Sequence, residues 1–283
     1  MATSTIITLS CEDRPGIVAG LTTELFEAGA NIAESAQFWD RDSGRFFLRM
    51  AVDFEAGIAR DSLERQISPL VDRFGMHLKI IDAARRPKII VMVSAFDHAL
   101  LHLLYQIRTG WLNADVVAIV SNREDSRPTA EAAGIPFHHW PVTKETKPEQ
   151  EDKLLKLVRE TDCDLVVLAR YMQILSDNLS KRLSGKIINI HHSFLPSFKG
   201  AKPYHQAHLR GVKLIGATAH YVTADLDEGP IVDQETERVT HAMTAEDFVA
   251  AARDIEARVL ARAVKMHLES RVMLNGHKTV VFS

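Results

Sequence analysis

Apolar and polar positions along the chain follow two periods, and the switches between them mark out its elements. Thr5-Ile6-Ile7-Thr8-Leu9 is a β-rich run. Asp13-Arg14-Pro15-Gly16 interrupts it, and Pro15 suits the first position of a helix. Ile17, Val18, Leu21, Leu25 and Phe26 follow at helical spacing, and Gly29 stops that helix near Asn31. Two further strands, over residues 32–39 and 46–54, flank a turn at Asp42-Ser43-Gly44. A second helix carries Ile58, Leu63, Ile67, Leu70, Val71 and Phe74, and a last strand covers 77–81. The order βαββαβ predicts a ferredoxin-like unit.

Ala83-Ala84-Arg85-Arg86-Pro87-Lys88 is polar and basic, and Pro87 discourages helix continuation. The chain divides here into residues 1–84 and 85–283. Beyond the break, short apolar strands at 89–94, 116–121, 165–168, 187–190, 214–222 and 231–239 are interspersed with helical stretches at 98–108, 153–160, 204–209 and 245–268. Continuous apolar strands among helices predict a mostly parallel, Rossmann-like α/β sheet covered on both faces. Ligands of such sheets bind beyond the carboxyl ends of the strands.

Composition narrows the class. Apolar residues make up 46% of 283 and charged residues 25%, which excludes a disordered or collagen-like chain. The formal net charge is −3, so neither nucleic acid nor an acidic membrane is an expected partner. Charge also differs across the break, with a net of −5 over residues 1–82 and +2 over the rest. The two cysteines, Cys11 and Cys163, make no disulfide framework and fit a reducing compartment. No run approaches the ~20 residues of a membrane helix, and residues 1–10 show no signal peptide. A cytoplasmic location is the expectation. The 13 histidines show no zinc-type spacing, and no metal or prosthetic group is expected.

One strand end carries candidate chemistry. Ile187-Ile188-Asn189-Ile190-His191-His192-Ser193 sets an amide inside an apolar run, where an unpaired amide costs ~1–3 kcal/mol. Alternation puts Asn189 and His191 on one side of the strand and His192 on the other. An amide donor and an imidazole on one face can polarise a carbonyl and move a proton. A satisfied core asparagine and a surface histidine fit the same pattern. A carboxylate to orient the imidazole is available downstream, in His220-Tyr221-Val222-Thr223-Ala224-Asp225-Leu226-Asp227-Glu228-Gly229-Pro230. Asp225 and Asp227 are equal candidates on composition.

These segments resemble a known family. Residues 187–200 are similar to the Asn-x-His-x-Ser-x-Leu-Pro signature of folate-dependent formyltransferases. The stretch from His220 to Pro230 resembles their second motif, and Leu168-Ala169-Arg170-Tyr171-Met172-Gln173-Ile174-Leu175 resembles their folate-pocket strand and loop. The resemblance implies that Asn189 stabilises the developing oxyanion, that His191 transfers protons, and that Asp227 supports His191. It places Met172, Gln173, Ile174, Leu175, Ser193, Thr223, Ala224 and Asp225 around the folate.

The family divides by what accepts the formyl group. Its glycinamide ribonucleotide transformylases hold a phosphate in a Gly- and Asn-rich loop. Here Ser94-Ala95-Phe96-Asp97-His98-Ala99-Leu100 has no glycine, and Asp97 would repel phosphate. Its methionyl-tRNA formyltransferases add a long basic RNA-binding domain, for which residues 271–283 are too few. The remaining acceptor is water. The resemblance therefore implies the branch that hydrolyses 10-formyltetrahydrofolate to formate and tetrahydrofolate, feeding formate to purine synthesis and balancing one-carbon pools. His192 and the run Phe198-Lys199-Gly200-Ala201-Lys202-Pro203-Tyr204 favour it. A formyltransferase to an unphosphorylated amine, or a non-catalytic folate or amino-acid sensor, are the alternatives.

The first unit resembles an ACT domain through Asp13-Arg14-Pro15-Gly16-Ile17 and Asn31. That resemblance implies an amino-acid effector, with methionine and glycine as candidates, and a homo-oligomer, dimer or tetramer. A structural reading fits as well, with Asp13 capping the helix and Gly16 easing the turn.

Overall fold

A computed structural model describes residues 3–54, 60–195 and 203–283. The chain forms two compact units. The first comprises Met1–Arg86 together with Glu269–Met273 and Val280–Ser283. The second comprises Pro87–Leu268 and Leu274–Thr279. The sequence-based division assigns everything after residue 84 to the second domain and so does not anticipate the C-terminal segments of the first unit.

The first unit runs β1 (Thr3–Glu12), α1 (Ile17–Glu27), β2 (Ala30–Asp40), β3 (Arg45–Phe54), α2 (Arg60–Phe74) and β4 (His77–Asp82). Its sheet has the order β2-β3-β1-β4 with every pair antiparallel, the predicted ferredoxin-like arrangement. Ile17, Leu21 and Leu25 recur every four residues on α1 and are buried with Leu63 and Ile67 of α2 against Ile7, Leu9, Leu48 and Met50. Gly20 permits the close approach of the two helices, because a Cβ there would lie 2.6 Å from Leu70 Cδ1. Helix α1 starts two residues later than Pro15 suggests. Gly16, at φ 97°, is its N-cap and no side chain caps it, so Asp13 plays no capping role. Ile58 lies outside the described residues.

Strand β3 is buried on both faces. Phe46, Leu48, Met50 and Val52 join the helix-side core, while Phe47 packs with Val280 and Phe282 from the C-terminal segment. On that second face Arg49 Nη1 donates to Glu34 at 3.0 Å, and its Nε donates to the Glu269 carbonyl.

The second unit continues with β5 (Lys88–Val93), α3 (His98–Arg108), β6 (Asp115–Ser121), α4 (Arg127–Ala132), β7 (Phe137–His139), α5 (Lys147–Thr161), β8 (Leu165–Leu168), α6 (Asp177–Arg182) and β9 (Ile187–His191). It then adds α7 (Pro203–Arg210), β10 (Leu214–Tyr221), β11 (Ile231–Arg238) and α8 (Ala245–Leu268). The seven strands take the order β11-β10-β9-β8-β5-β6-β7. The five from β9 to β7 are parallel, and β10 and β11 continue the sheet antiparallel. The strands β5 and β8 are buried along nearly their whole length, as their unbroken apolar runs predict. A small hairpin, β12 (Val272–Asn275) and β13 (Lys278–Val281), ends the chain.

Candidate functional site

Strand order reverses between β5 and β8. The chain leaves β5 toward β6 and β7 on one side and returns through β8 and β9 on the other. Loops at the carboxyl ends of two such neighbours diverge and leave a crevice. A cavity of about 630 Å³ lies there. The loop after β8 is fixed at its mouth, because the Met172 amide donates to Ser94 Oγ at 3.0 Å across from β5.

Asn189, His191 and Asp227 all line this cavity. Met172, Gln173, Ile174, Leu175, Thr223, Ala224 and Asp225 line it too. Ser193 does not. It is 4% exposed, and its carbonyl accepts from Thr218 Oγ1 at 3.0 Å, so its expected folate contact is not part of the geometry. Residues 196–200 of the first motif and residues 201–202 of the following run lie outside the described residues.

The choice between Asp225 and Asp227 is made by distance. Asp227 Oδ2 is 3.3 Å from His191 Nδ1, and its Oδ1 is 3.6 Å from His220 Nε2. Asp225 is exposed, and its carbonyl serves the local loop by accepting from Thr223 Oγ1. Hydrogen bonding by His191 holds the Asp227 carboxyl well below the usual carboxylate range, although burial opposes it. With Nδ1 turned to this anion, His191 keeps its proton there, and Nε2 is left as the free lone pair.

The turn that delivers Asp227 is tightly built. Asp227 has φ 57°, the left-handed region that Asp tolerates better than most residues. Two positions on, a Cβ at Gly229 would lie 1.7 Å from the Tyr221 carbonyl oxygen. Glycine is required there because the returning backbone passes against β10.

His220 is the site residue that sequence reasoning left without a role. It is 2% exposed and pairs across strands with Asn189. Its Nδ1 donates to the Tyr221 carbonyl at 2.9 Å, which leaves Nε2 to accept from the Asn189 amide at 3.3 Å. One amide hydrogen of Asn189 is thereby held, and the other remains for a ligand. The second motif begins at His220, but only the β9–β10 register shows that it faces Asn189.

His192 also departs from expectation. Alternation sends it away from His191, but β9 ends at His191 and the chain bends. The two rings stack with centroids 5.0 Å apart, and both line the cavity. Burial, with the nearby Arg170 charge, pushes the His192 pKa down to about 4.

The expected effector residues belong to the first unit. Asp13, Arg14, Pro15, Gly16 and Asn31 are exposed, and Ile17 is core. Arg14 pairs with Glu12 at 2.5 Å. No cluster of His, Cys, Asp and Glu suited to a metal ion occurs among the described residues, and no helix there is long and apolar enough to cross a membrane.

Known proteins match this chain along nearly its full length. A formyl transferase family model covers residues 87–264, and an ACT domain model covers residues 5–61. Formyltetrahydrofolate deformylase of Corynebacterium sp. (strain P-1) is 48% identical, across 98% of this chain and 97% of that protein. The Bacillus subtilis (strain 168) deformylase is 47% identical, across 97% and 92%. The crystal structure of the Burkholderia mallei deformylase superposes with a TM-score of 0.96 at 49% identity, covering 99% of this chain and all of that one. A glycinamide ribonucleotide transformylase from Symbiobacterium toebii matches with a TM-score of 0.66 at 28% identity, covering 71% of this chain and 97% of that one. The chain belongs to the formyltetrahydrofolate deformylase family, with an ACT domain followed by a formyl transferase domain.

Proposed function

We propose that this protein is a hydrolase that converts 10-formyltetrahydrofolate and water to formate and tetrahydrofolate. The observation that carries the reading is the convergence of Asn189, His191 and Asp227 on one cavity, in a chain whose full-length relatives bear the deformylase name. The folate rests on the loop of Met172 to Leu175 and on Thr223 to Asp225, with the formyl group toward β9. Water attacks the formyl carbon and passes a proton to His191 Nε2. Asn189 donates its second amide hydrogen to the oxygen as it becomes an oxyanion. Asp227 stabilises the imidazolium. His191 then returns the proton to N10 as the C–N10 bond breaks, giving formate and tetrahydrofolate. No step calls for a metal or a prosthetic group.

Formate supplied to purine synthesis, a balanced one-carbon pool and a cytoplasmic setting complete the reading. The first unit acts as the regulatory domain and the second as the catalytic one. An amino-acid effector, methionine or glycine, binds around Asp13, Arg14, Pro15, Gly16, Ile17 and Asn31. A homo-oligomer, dimer or tetramer, forms along edge strand β2, where Ile32, Phe38 and Trp39 are 37%, 45% and 48% exposed. The test is release of formate and tetrahydrofolate in equal amounts without an added amine. Release of neither rules out hydrolysis. Sedimentation of the wild type and Phe38→Glu tests the oligomer.

A further inference from the structure

A buried carboxylate lines the same cavity and has no part in the hydrolysis just described. Glu256 of α8 is 2% exposed. It takes three partners, each from a different element. His98 Nε2 lies 2.9 Å from Oε2, the Tyr204 hydroxyl donates to Oε1 at 3.0 Å, and Arg170 Nε lies 3.3 Å from Oε2. The cluster reaches the reacting end of the cavity through His192, whose ring is 6.4 Å from that of Tyr204 and stacks on His191.

Arg170 is the costly member. It follows β8 directly and has φ 63°, a backbone conformation that favours glycine. Its side chain is 13% exposed, and it meets Glu256 as an ion pair off the hydrogen-bond line. Strain and a buried ion pair persist only where the surroundings enforce them, and they gather at functional sites.

We propose that Arg170 and Tyr204, fixed by Glu256, close the acceptor side of the cavity and restrict the nucleophile to water. The proposal rests on the hydrolysis reading and adds what makes the site hydrolytic. The domain's fold is shared with a glycinamide ribonucleotide transformylase, so the fold alone does not choose the acceptor. Neither do the proton-transferring groups. An amine nitrogen attacking the same carbon would lose a proton to His191, N10 would gain one as its bond to carbon breaks, and an N-formyl amine would leave in place of formate. The nucleophile must come within ~3.5 Å of the carbon. Two large side chains locked to a third leave that approach to a small molecule.

The test uses the full chain with 10-formyltetrahydrofolate and glycinamide, reading formate and N-formylglycinamide by chromatography. Tetrahydrofolate titration reports whether the pocket is intact. Wild type is expected to give formate with no effect of glycinamide. Arg170→Gly relaxes the backbone and opens the wall, and the N-formylglycinamide share should rise at least about ten-fold. Glu256→Gln, which frees Arg170 without removing it, should move the share the same way by less. An unchanged share in variants that bind tetrahydrofolate overturns the proposal, as does wild-type formylation of glycinamide. Loss of tetrahydrofolate binding in both variants also overturns it, since the cluster would then serve the pterin pocket. Absence of formate from wild type overturns the hydrolysis reading itself.

Discussion

Asp227 reaches His191 from a left-handed turn, with Oδ2 3.3 Å from Nδ1. A strand supplies the imidazole and a loop supplies the carboxylate, so the pair forms only when β9, β10 and the turn after β10 are all in register. The same carboxylate faces His220, which in turn contacts Asn189. The proposed oxyanion donor and the proposed proton carrier are thus supported by one network.

Asp227→Asn should lower kcat about 10²–10⁴-fold and leave KM for the folate nearly unchanged. Asparagine tolerates the left-handed backbone, so the turn is kept while the charge opposite His191 is lost. Steady-state formate release, with circular dichroism as a fold check, reads this directly. A kcat within two-fold of wild type would exclude Asp227 from the chemistry.

His220→Leu should lower kcat about 10–100-fold, because Asn189 loses the partner that orients its amide. In a double-mutant cycle with Asn189→Ala the two losses should be far from additive. Additive losses would mean that His220 acts independently of Asn189.

Stability should fall as pH drops from about 6.5 to 4 because of His192. Its folded pKa is depressed to about 4 from 6.5, so within that window the unfolded chain takes up a proton that the native state refuses. The effect amounts to no more than about 3 kcal/mol and is complete at the lower limit. Asp227 acts in a separate window, since its lowered pKa contributes stability above 3.8 that is lost as pH falls below it. Guanidinium midpoints at pH 6.5 and 4.5 should differ less for His192→Gln than for wild type. Equal differences would mean that His192 does not titrate this way.

Gly229→Ala should abolish most formate release, with a loss of at least about 1–3 kcal/mol in stability. A methyl group 1.7 Å from the Tyr221 carbonyl oxygen forces the backbone apart and moves Asp227 with it. Wild-type activity in this variant would show that the turn can shift without cost to the site.

Much of this was legible because periodicity reports which face of an element is buried. It located all four strands of the first sheet and six of the seven in the second. Helices α4 and α6, at six residues each, are too short for a period to emerge. Asn189 and His191 stand out as polar residues at the end of an apolar strand, whereas Asp227 is separated from Asp225 only by the resemblance to the family's second motif. The partnership of His220 with Asn189 depends on strand register, which local pattern does not encode. Alternation failed for His192 because β9 ends one residue earlier. Glu256 sits in a helix whose spacing reads as an ordinary charged position, and its burial follows from three distant partners.

Phe47 is covered by Val280 and Phe282, more than two hundred positions later in the chain. During synthesis the ferredoxin-like sheet therefore emerges from the ribosome early but keeps one aromatic face bare until the last strand has been made. Residues 1–86 expressed alone would carry that bare face permanently and would be prone to self-association.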